Sequence, residues 1–585
     1  MSAHLRLVAP RIASKKLSSL LLVGAIASAY SFSLAAAPQA FVNAQVFTSD
    51  SSNLSAEAFV VEDGKFALVG SNKEVQAYIA DHPGTVTEDM ANQRIIPGLY
   101  DSHIHALSGG EEALFTCNFA NDTDIPGLLK AVADCAAKTP AGSWIEGGAW
   151  GPGLQQQATA NAADFLQKLD EAAQGHPLVL RDFSNHNVLV NSVAMTAANI
   201  TPAEEQAFAD LIVRDPQTQQ MSGFFHEGAG MLVRRAVPGR TAAQYQMAMR
   251  KAVDTLHGYG IVGVKDSFAG DAEIDTYLAL DNQGELNLHA ALSIGWHAGK
   301  VTTEEDKAVF IARINAGNNN PEVNTRFSKI AVDGIPPTQT AAFIEPYLPA
   351  GNDNRGALEV TPEKLTEDLI WMDALGVTVQ AHTVGDRAVR VMLDAVEATR
   401  KQNGNSGLRH DLAHACLVDP DDVARFAELN AVANYSPMFW FPSGLVDGMK
   451  ALLGEERAGR YCATRSMIEA GAAPTAGSDW PVVASVNPWP GIEAFVTRQA
   501  PDGSRPGEQL WADQKVTLEQ ALVMFTMNGA KALRVEDRAG SITVGKAADF
   551  IVLDRDVFAI APADIGNTQV RKTYFGGQPV YVQQQ

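Results

Sequence analysis

Short apolar, β-branched runs recur along this chain, and several of them stop on a histidine or a carboxylate. The run Ile95-Ile96-Pro97-Gly98-Leu99-Tyr100-Asp101-Ser102-His103-Ile104-His105 closes on two histidines one residue apart. In a strand, residues i and i+2 face the same way, so His103 and His105 can offer two imidazoles to one metal ion. Gly376-Val377-Thr378-Val379-Gln380-Ala381-His382 and Leu408-Arg409-His410-Asp411-Leu412-Ala413-His414 close in the same manner. Gly471-Ala472-Ala473-Pro474-Thr475-Ala476-Gly477-Ser478-Asp479 ends on a carboxylate, and Trp480-Pro481 stops the strand there. Taken singly, each of these histidines reads as a structural residue rather than a ligand. As an ordered set at the ends of separate strands, they predict an α/β fold, a (β/α)8 TIM-type barrel, which builds its active site at the carboxyl ends of its strands.

Further motifs lie between these ligands in a consistent order: Ser328-Lys329-Ile330-Ala331-Val332-Asp333-Gly334, Thr340-Ala341-Ala342, Glu345-Pro346-Tyr347, Ala381-His382-Thr383-Val384-Gly385-Asp386-Arg387-Ala388-Val389, Asn434-Tyr435-Ser436-Pro437 and Ala476-Gly477-Ser478-Asp479-Trp480-Pro481. Together they resemble the amidohydrolase superfamily, in particular its amidohydrolase-3 branch of YtcJ-like proteins. The resemblance spans nearly the whole chain after its first residues and carries no signature of a particular substrate.

The resemblance implies that His103, His105 and Asp479 hold one divalent ion and that His382 and His414 hold a second. Two dications close together repel, and neutral imidazoles do not offset that, so a bridging anion is needed. Lys329, carboxylated by CO₂, is the implied bridge, and the competing reading pairs the lysine with Asp333. A divalent metal, Zn²⁺ first, is expected, as one ion or two, since some members of the family bridge differently or use a single metal. Its bound water drops in pKa toward neutrality, and Asp479 is the implied catalytic residue that moves the proton to the leaving nitrogen. The implied reaction is hydrolysis of a non-peptide C–N bond, amide-type, in a small molecule. An ester or lactone hydrolase on the same site, or a metal-binding regulatory protein without turnover, are the alternatives.

The two ends of the chain carry short strand-and-turn patterns. Ala58-Phe59-Val60-Val61-Glu62-Asp63-Gly64-Lys65-Phe66-Ala67-Leu68-Val69-Gly70 reads as a hairpin turning at Asp-Gly. Ala548-Asp549-Phe550-Ile551-Val552-Leu553-Asp554 is a comparable run near the other end. The resemblance implies that residues 41–97 and 533–583 join into a small β-sandwich beside a barrel over 98–532. A βα unit needs about 30 residues, whereas roughly 150 separate His105 from the likely second strand at Gly260-Ile261-Val262-Gly263-Val264-Lys265-Asp266. An insertion over approximately 108–245 is therefore expected. Within it, Trp144 to Gly151, Asn185-His186-Asn187 and Val190-Asn191-Ser192 resemble the family's pocket-covering segment. Trp150 and His186 read equally as substrate contacts or as insertion core and structural hydrogen-bonding residue. Trp480, beside Asp479, is a third expected substrate contact.

Other signals fail on chemistry. Gly540-Ser541-Ile542-Thr543-Val544-Gly545-Lys546-Ala547 nearly spells a phosphate-binding loop, but Ala547 stands where Ser or Thr should meet magnesium, and a strand follows instead of a helix. His226-Glu227 begins a zinc-protease motif, yet Gly230 replaces the second histidine. No Gly-x-Ser-x-Gly elbow is present. The net charge of −22 argues against nucleic acid and anionic membrane surfaces as partners and says little about the substrate; the resemblance implies a small-molecule substrate, with homo-oligomerisation open.

Arg6, Arg11, Lys15 and Lys16 precede an apolar run from Leu17 to Ala37, which reads as a secretory signal peptide over 1–37. Cleavage leaves a periplasmic or secreted enzyme with no stable membrane partner. In such a compartment Cys117 and Cys135, 18 positions apart, could form a disulfide worth ~3 kcal/mol. Cys416 and Cys462 are expected to be buried thiols.

Overall fold

The apolar runs form one parallel ladder. The computed structural model describes residues 37–584 apart from 121, 152, 183–186, 298–302 and 350–352. Eight barrel strands follow in chain order: Leu99–Ile104, Ile261–Ala269, His289–Gly295, Val323–Ala331, Thr378–His382, Asp411–Ala413, Val432–Tyr435 and Thr475–Ala476. The register sets Leu99 beside Ile261, Lys329 beside Gln380, and Ala413 beside Asn434. The last strand has only two residues, and the chain beyond it closes the barrel. The Asp479 backbone N–H donates to the His103 carbonyl (2.8 Å), and the His105 N–H donates to the Trp480 carbonyl (2.9 Å).

Strands covered on both faces must be apolar almost throughout, and every residue of Leu99–Ile104 is buried. The outer cover includes helices Pro362–Ala374 and Asp386–Asn403. Thr361 caps the first of these by accepting from the Lys364 N–H, which satisfies a backbone donor the helix leaves open.

A polar layer crosses the barrel interior. Lys265 Nζ donates to Asp411 Oδ2 at 2.8 Å, with both side chains fully buried. The side-chain amides of Gln380 and Asn434 each donate to Asp411 Oδ2 (3.3 and 3.1 Å) and to the Ser102 carbonyl. Ser267 Oγ donates to Gln380 Oε1 at 2.7 Å.

Both ends of the chain build the accompanying β structure. Arg94–Pro97 pairs antiparallel with Phe550–Leu553, placing N-terminal and C-terminal strands in one six-stranded sheet. A four-stranded sheet from Gln39–Val42, Ala58–Glu62, Lys65–Gly70 and Val86–Asp89 accompanies it. Phe41, Phe59, Phe66, Phe550 and Tyr574 share one buried cluster, with the Phe550 and Tyr574 rings stacked at 4.3 Å. The hairpin turns at Asp63 and Gly64, both at positive φ, with Glu62 opposite Lys65. The false phosphate loop is a turn against this hairpin, where the Lys546 carbonyl accepts from Phe66 N–H.

The insertion is framed by helices Ala106–Phe115 and Ala242–Gly258, which lead from the first barrel strand and back to the second. Between them a six-stranded sheet, from Thr116–Asn118 to Met221–His226, carries a core of its own. Cys117 and Cys135 are joined by a disulfide within it. Cys416 and Cys462 are also disulfide-bonded, which corrects the expectation of two thiols. The 46-residue separation hides the fact that the loop after the sixth strand meets the segment before helix Thr464–Glu469. There the Cys462 N–H donates to the Cys416 carbonyl at 2.7 Å. The expected signal peptide lies outside the described residues except for Ala37. Among those residues, no helix is long and apolar enough to cross a membrane.

Candidate metal centre at the carboxyl ends of the barrel strands

His103 lies within the first strand, and His105 follows it by one residue, so the strand aims both rings across the barrel mouth. Asp479 arrives from the loop after the eighth strand. His103 Nε2 and His105 Nε2 each lie 3.4 Å from Asp479 Oδ1, and ligand atoms of the three residues fall within 4.8 Å of one another. His414, just beyond the sixth strand, puts Nε2 4.0 Å from Asp479 Oδ2. Its ring centroid lies 4.5 Å from that of His103 and 5.0 Å from that of His382 at the end of the fifth strand. Lys329, in the fourth strand, is 4 % exposed, and its charge acts on His103, His105, His414 and Asp479. The six residues singled out as ligands therefore meet at one end of the barrel.

His105 Nδ1 is 2.8 Å from the Ser267 carbonyl. A carbonyl only accepts, so Nδ1 carries the hydrogen, and in the neutral ring Nε2 turns a lone pair toward Asp479 Oδ1. Two acceptors facing each other require a positive species between them, either a proton on the ring or a metal ion. Among the described residues, His103 Nδ1, His382 Nδ1 and Lys329 Nζ have no hydrogen-bond partner, although polar groups in such places are ordinarily satisfied. Imidazole nitrogens with a carboxylate oxygen form a donor set suited to zinc and similar divalent ions.

The electrostatics agree. Burial, with the charge of Lys329 adding, pushes His103 down to about 4. Burial, together with neighbouring His103, also sends His414 well below the usual imidazole range. Both rings are thus neutral, the form that binds metal. Burial favours a neutral Asp479, but the facing imidazoles of His103 and His105 outweigh it and hold the carboxyl well below the usual carboxylate range. Burial lowers Lys329 to about 8. His414 and Asp479 both take left-handed backbone angles, φ 64° and 62°. Non-glycine residues held there concentrate at functional sites.

Lys329 does not pair with Asp333. That carboxylate accepts instead from the backbone N–H groups of Ala342, Val384 and Gly385, each at 2.9 Å. It thereby fixes the loop after His382, and its Oδ1 lies 3.5 Å from His382 Nδ1. Two other carboxylates were not singled out from sequence. Asp101 Oδ1 accepts from the N–H groups of His103 and Ser478, tying the first ligand strand to the Asp479 loop, and burial raises it to about 7. Asp266 accepts from Ala106 N–H and Tyr277 Oη beside His105, and burial raises it to about 6.

The expected substrate contacts fare differently. Trp150 is 3 % exposed in the insertion core, with its indole N–H donating to the Leu180 carbonyl at 3.3 Å. Of its two readings, this placement corresponds to insertion core. His186 lies outside the described residues. Trp480 packs its ring on Gly109, where an added Cβ would come within 2.2 Å of it. The ring also borders a cavity of about 260 Å³ lined by Glu112, Thr255, Tyr259 and Val486.

Comparison with known proteins fits this architecture. The chain is 27% identical over 536 residues to the putative amidohydrolase YtcJ of Bacillus subtilis (strain 168), covering 90% of this chain and 96% of that protein. It is 26% identical over 552 residues to the N-substituted formamide deformylase of Arthrobacter pascens, covering 92% and 97%. Among solved structures, an uncharacterized metal-dependent hydrolase from Pyrococcus horikoshii OT3 shares the fold with a TM-score of 0.72 at 21% identity, over 90% of this chain and 99% of that one. Residues 86–581 match the amidohydrolase family model, and the chain therefore belongs to the amidohydrolase family.

Proposed function

We propose that this protein is a metal-dependent hydrolase that cleaves an amide-type, non-peptide C–N bond of a small molecule. The observation that carries the proposal is the convergence of four imidazoles, one carboxylate and one unpartnered buried lysine at the carboxyl ends of the barrel strands. His103, His105 and Asp479 would hold one divalent ion and His382 and His414 a second, and Lys329, if carboxylated, would supply the anionic ligand that offsets their charge. Divalent metal bound by these residues supplies Lewis acidity for the scissile carbonyl and brings the pKa of water toward neutrality. Asp479 accepts a proton from the attacking water at its carboxylate and passes it to the leaving nitrogen, so the amine departs neutral. The similarity to an N-substituted formamide deformylase makes formamides the first substrates to try. Two disulfides among the described residues fit an oxidising compartment and support the reading of an exported enzyme.

The test is elemental analysis of the purified protein beside Lys329→Ala, with a formamide turnover assay on wild type and Asp479→Asn. About two divalent ions per chain, most of them zinc, are expected. The lysine variant should retain fewer, and Asp479→Asn should lose turnover by orders of magnitude while substrate binding suffers less. One ion or none, unchanged in Lys329→Ala, would rule out the bridged centre. Wild-type turnover in Asp479→Asn would rule out the proton-transfer role.

A further inference from the structure

Phe268 breaks the alternation of the second barrel strand. Ser267 pairs with Ser293 and Ala269 with Ile294, so Phe268 is the extra residue of a β-bulge. Its φ of 65° lies in the left-handed region, which a bulky aromatic residue rarely adopts. Bulges beside active sites re-aim a side chain, and here the new direction can be read from neighbouring strands. An added Cβ on Gly295 would stand 2.8 Å from Phe268 Cδ1 and 3.0 Å from Cε1. Gly295 is in register with Lys329, and Lys329 with Gln380. Residues in register on parallel strands face the same side, and Gln380 belongs to the interior polar layer. The ring of Phe268 therefore fills the interior-facing space above Gly295, level with Lys329.

The ring is nevertheless 39 % exposed. Its one aromatic neighbour among the described residues is His297, at 5.5 Å between centroids. A packing residue in a barrel would be covered, whereas this ring presents apolar surface in the mouth. The preceding residue, Ser267, supplies the carbonyl that orients His105. Strained backbone, exposed aromatic surface and contiguity with a ligand's support thus coincide at one strand end.

We propose that Phe268 is a specificity-determining residue whose ring forms a wall of the substrate pocket and takes a flat apolar substituent, aryl or of similar size, on the amide. The assignment deepens the hydrolase reading and rests on it. Gly295 is part of the same device, because any side chain there would displace the ring.

The experiment measures binding of benzohydroxamate and acetohydroxamate to the zinc-loaded protein by calorimetry. Both share one metal-chelating group and differ in the substituent that would meet Phe268. Wild type should bind the aryl probe about tenfold more tightly, from ring contact and buried area. In Phe268→Ala that ratio should fall to within about twofold, through weaker binding of the aryl probe. Phe268→Tyr should keep the ratio, and Gly295→Ala should lower it without altering the ring itself. Unchanged melting curves show that each variant is folded. A wild-type ratio near one, or a ratio retained in Phe268→Ala, overturns the assignment. Failure of wild type to bind either probe overturns it together with the metal centre. An aryl preference that Phe268→Ala removes, in a protein that hydrolyses no amide, supports the aromatic wall and refutes the hydrolase reading instead.

Discussion

Replacing Asp411 by asparagine tests how far the barrel depends on its interior charge pair. Asp411 Oδ2 receives Lys265 Nζ at 2.8 Å, and neither side chain reaches solvent. Asparagine keeps the shape and one oxygen but removes the counter-charge, leaving a buried ammonium over the face of Phe327, 5.3 Å away, without its carboxylate partner. Breaking a buried pair from one side costs about 3–5 kcal/mol, because the remaining ion cannot recover its hydration. That corresponds to roughly a hundred- to several-thousandfold rise in the unfolding constant. Replacing both partners at once, Lys265→Met with Asp411→Leu, removes the charge and its penalty together, so stability should return to within about 1–2 kcal/mol of wild type. The assay is urea unfolding followed by tryptophan fluorescence and far-UV circular dichroism for wild type, both single variants and the double variant. A loss below about 1 kcal/mol in Asp411→Asn, or a double variant no more stable than the worse single, would refute the account.

Three further outcomes follow from other parts of the molecule. His289 lies between Glu322 Oε2 (2.5 Å) and Asp549 Oδ2 (2.8 Å); burial favours its neutral form, but the two carboxylates outweigh that and raise it to about 9. Its stabilising share is complete below its unfolded pKa near 6.5 and is lost as pH rises through about 9, so urea midpoints should fall between pH 7 and 9.5 in wild type and less steeply in His289→Gln. Native, unreduced protein should give no titratable thiol, and Cys462→Ser should lose about 4 kcal/mol on the chain-entropy model; four free thiols would reject both bridges. Stripping metal with a chelator should lower the melting temperature, and zinc should restore it, because a ligand at a hundred times its Kd stabilises by about 2.7 kcal/mol; a melting temperature indifferent to both treatments would count against the metal centre.

The barrel and the gathering of its candidate ligands at one end were legible because both rest on period and position. Alternation put His103 and His105 on one side of a strand, and strand ends are where a barrel gathers His382, His414 and Asp479. The supports around those residues were not legible. Ser267 orients His105 through a backbone carbonyl, which every residue type possesses. Asp333 looked like a partner for Lys329 because the two are close in sequence, but its acceptor capacity is taken by three backbone N–H groups of other loops. The Cys416–Cys462 bridge depends on two loops meeting at one point, which sequence separation does not encode. Phe268 escapes any reading by alternation, since a bulge changes the parity on which such a reading depends.

The end of the second barrel strand shows why orientation, stability and selectivity are hard to separate in this protein. Ser267 Oγ holds Gln380 in the interior layer, while the Ser267 carbonyl holds His105 by Nδ1. The next residue carries the exposed ring of Phe268 on a left-handed backbone. Straightening the bulge would relieve that strain, but it would also rotate the Ser267 carbonyl and release the His105 ring. The strain is therefore retained by the interactions on either side of it. Lys265, two residues before Ser267, anchors the same strand to Asp411, three residues before His414. The polar layer thus ties together two strand ends that carry candidate ligands, on strands whose terminal residues take individually unfavourable backbone angles.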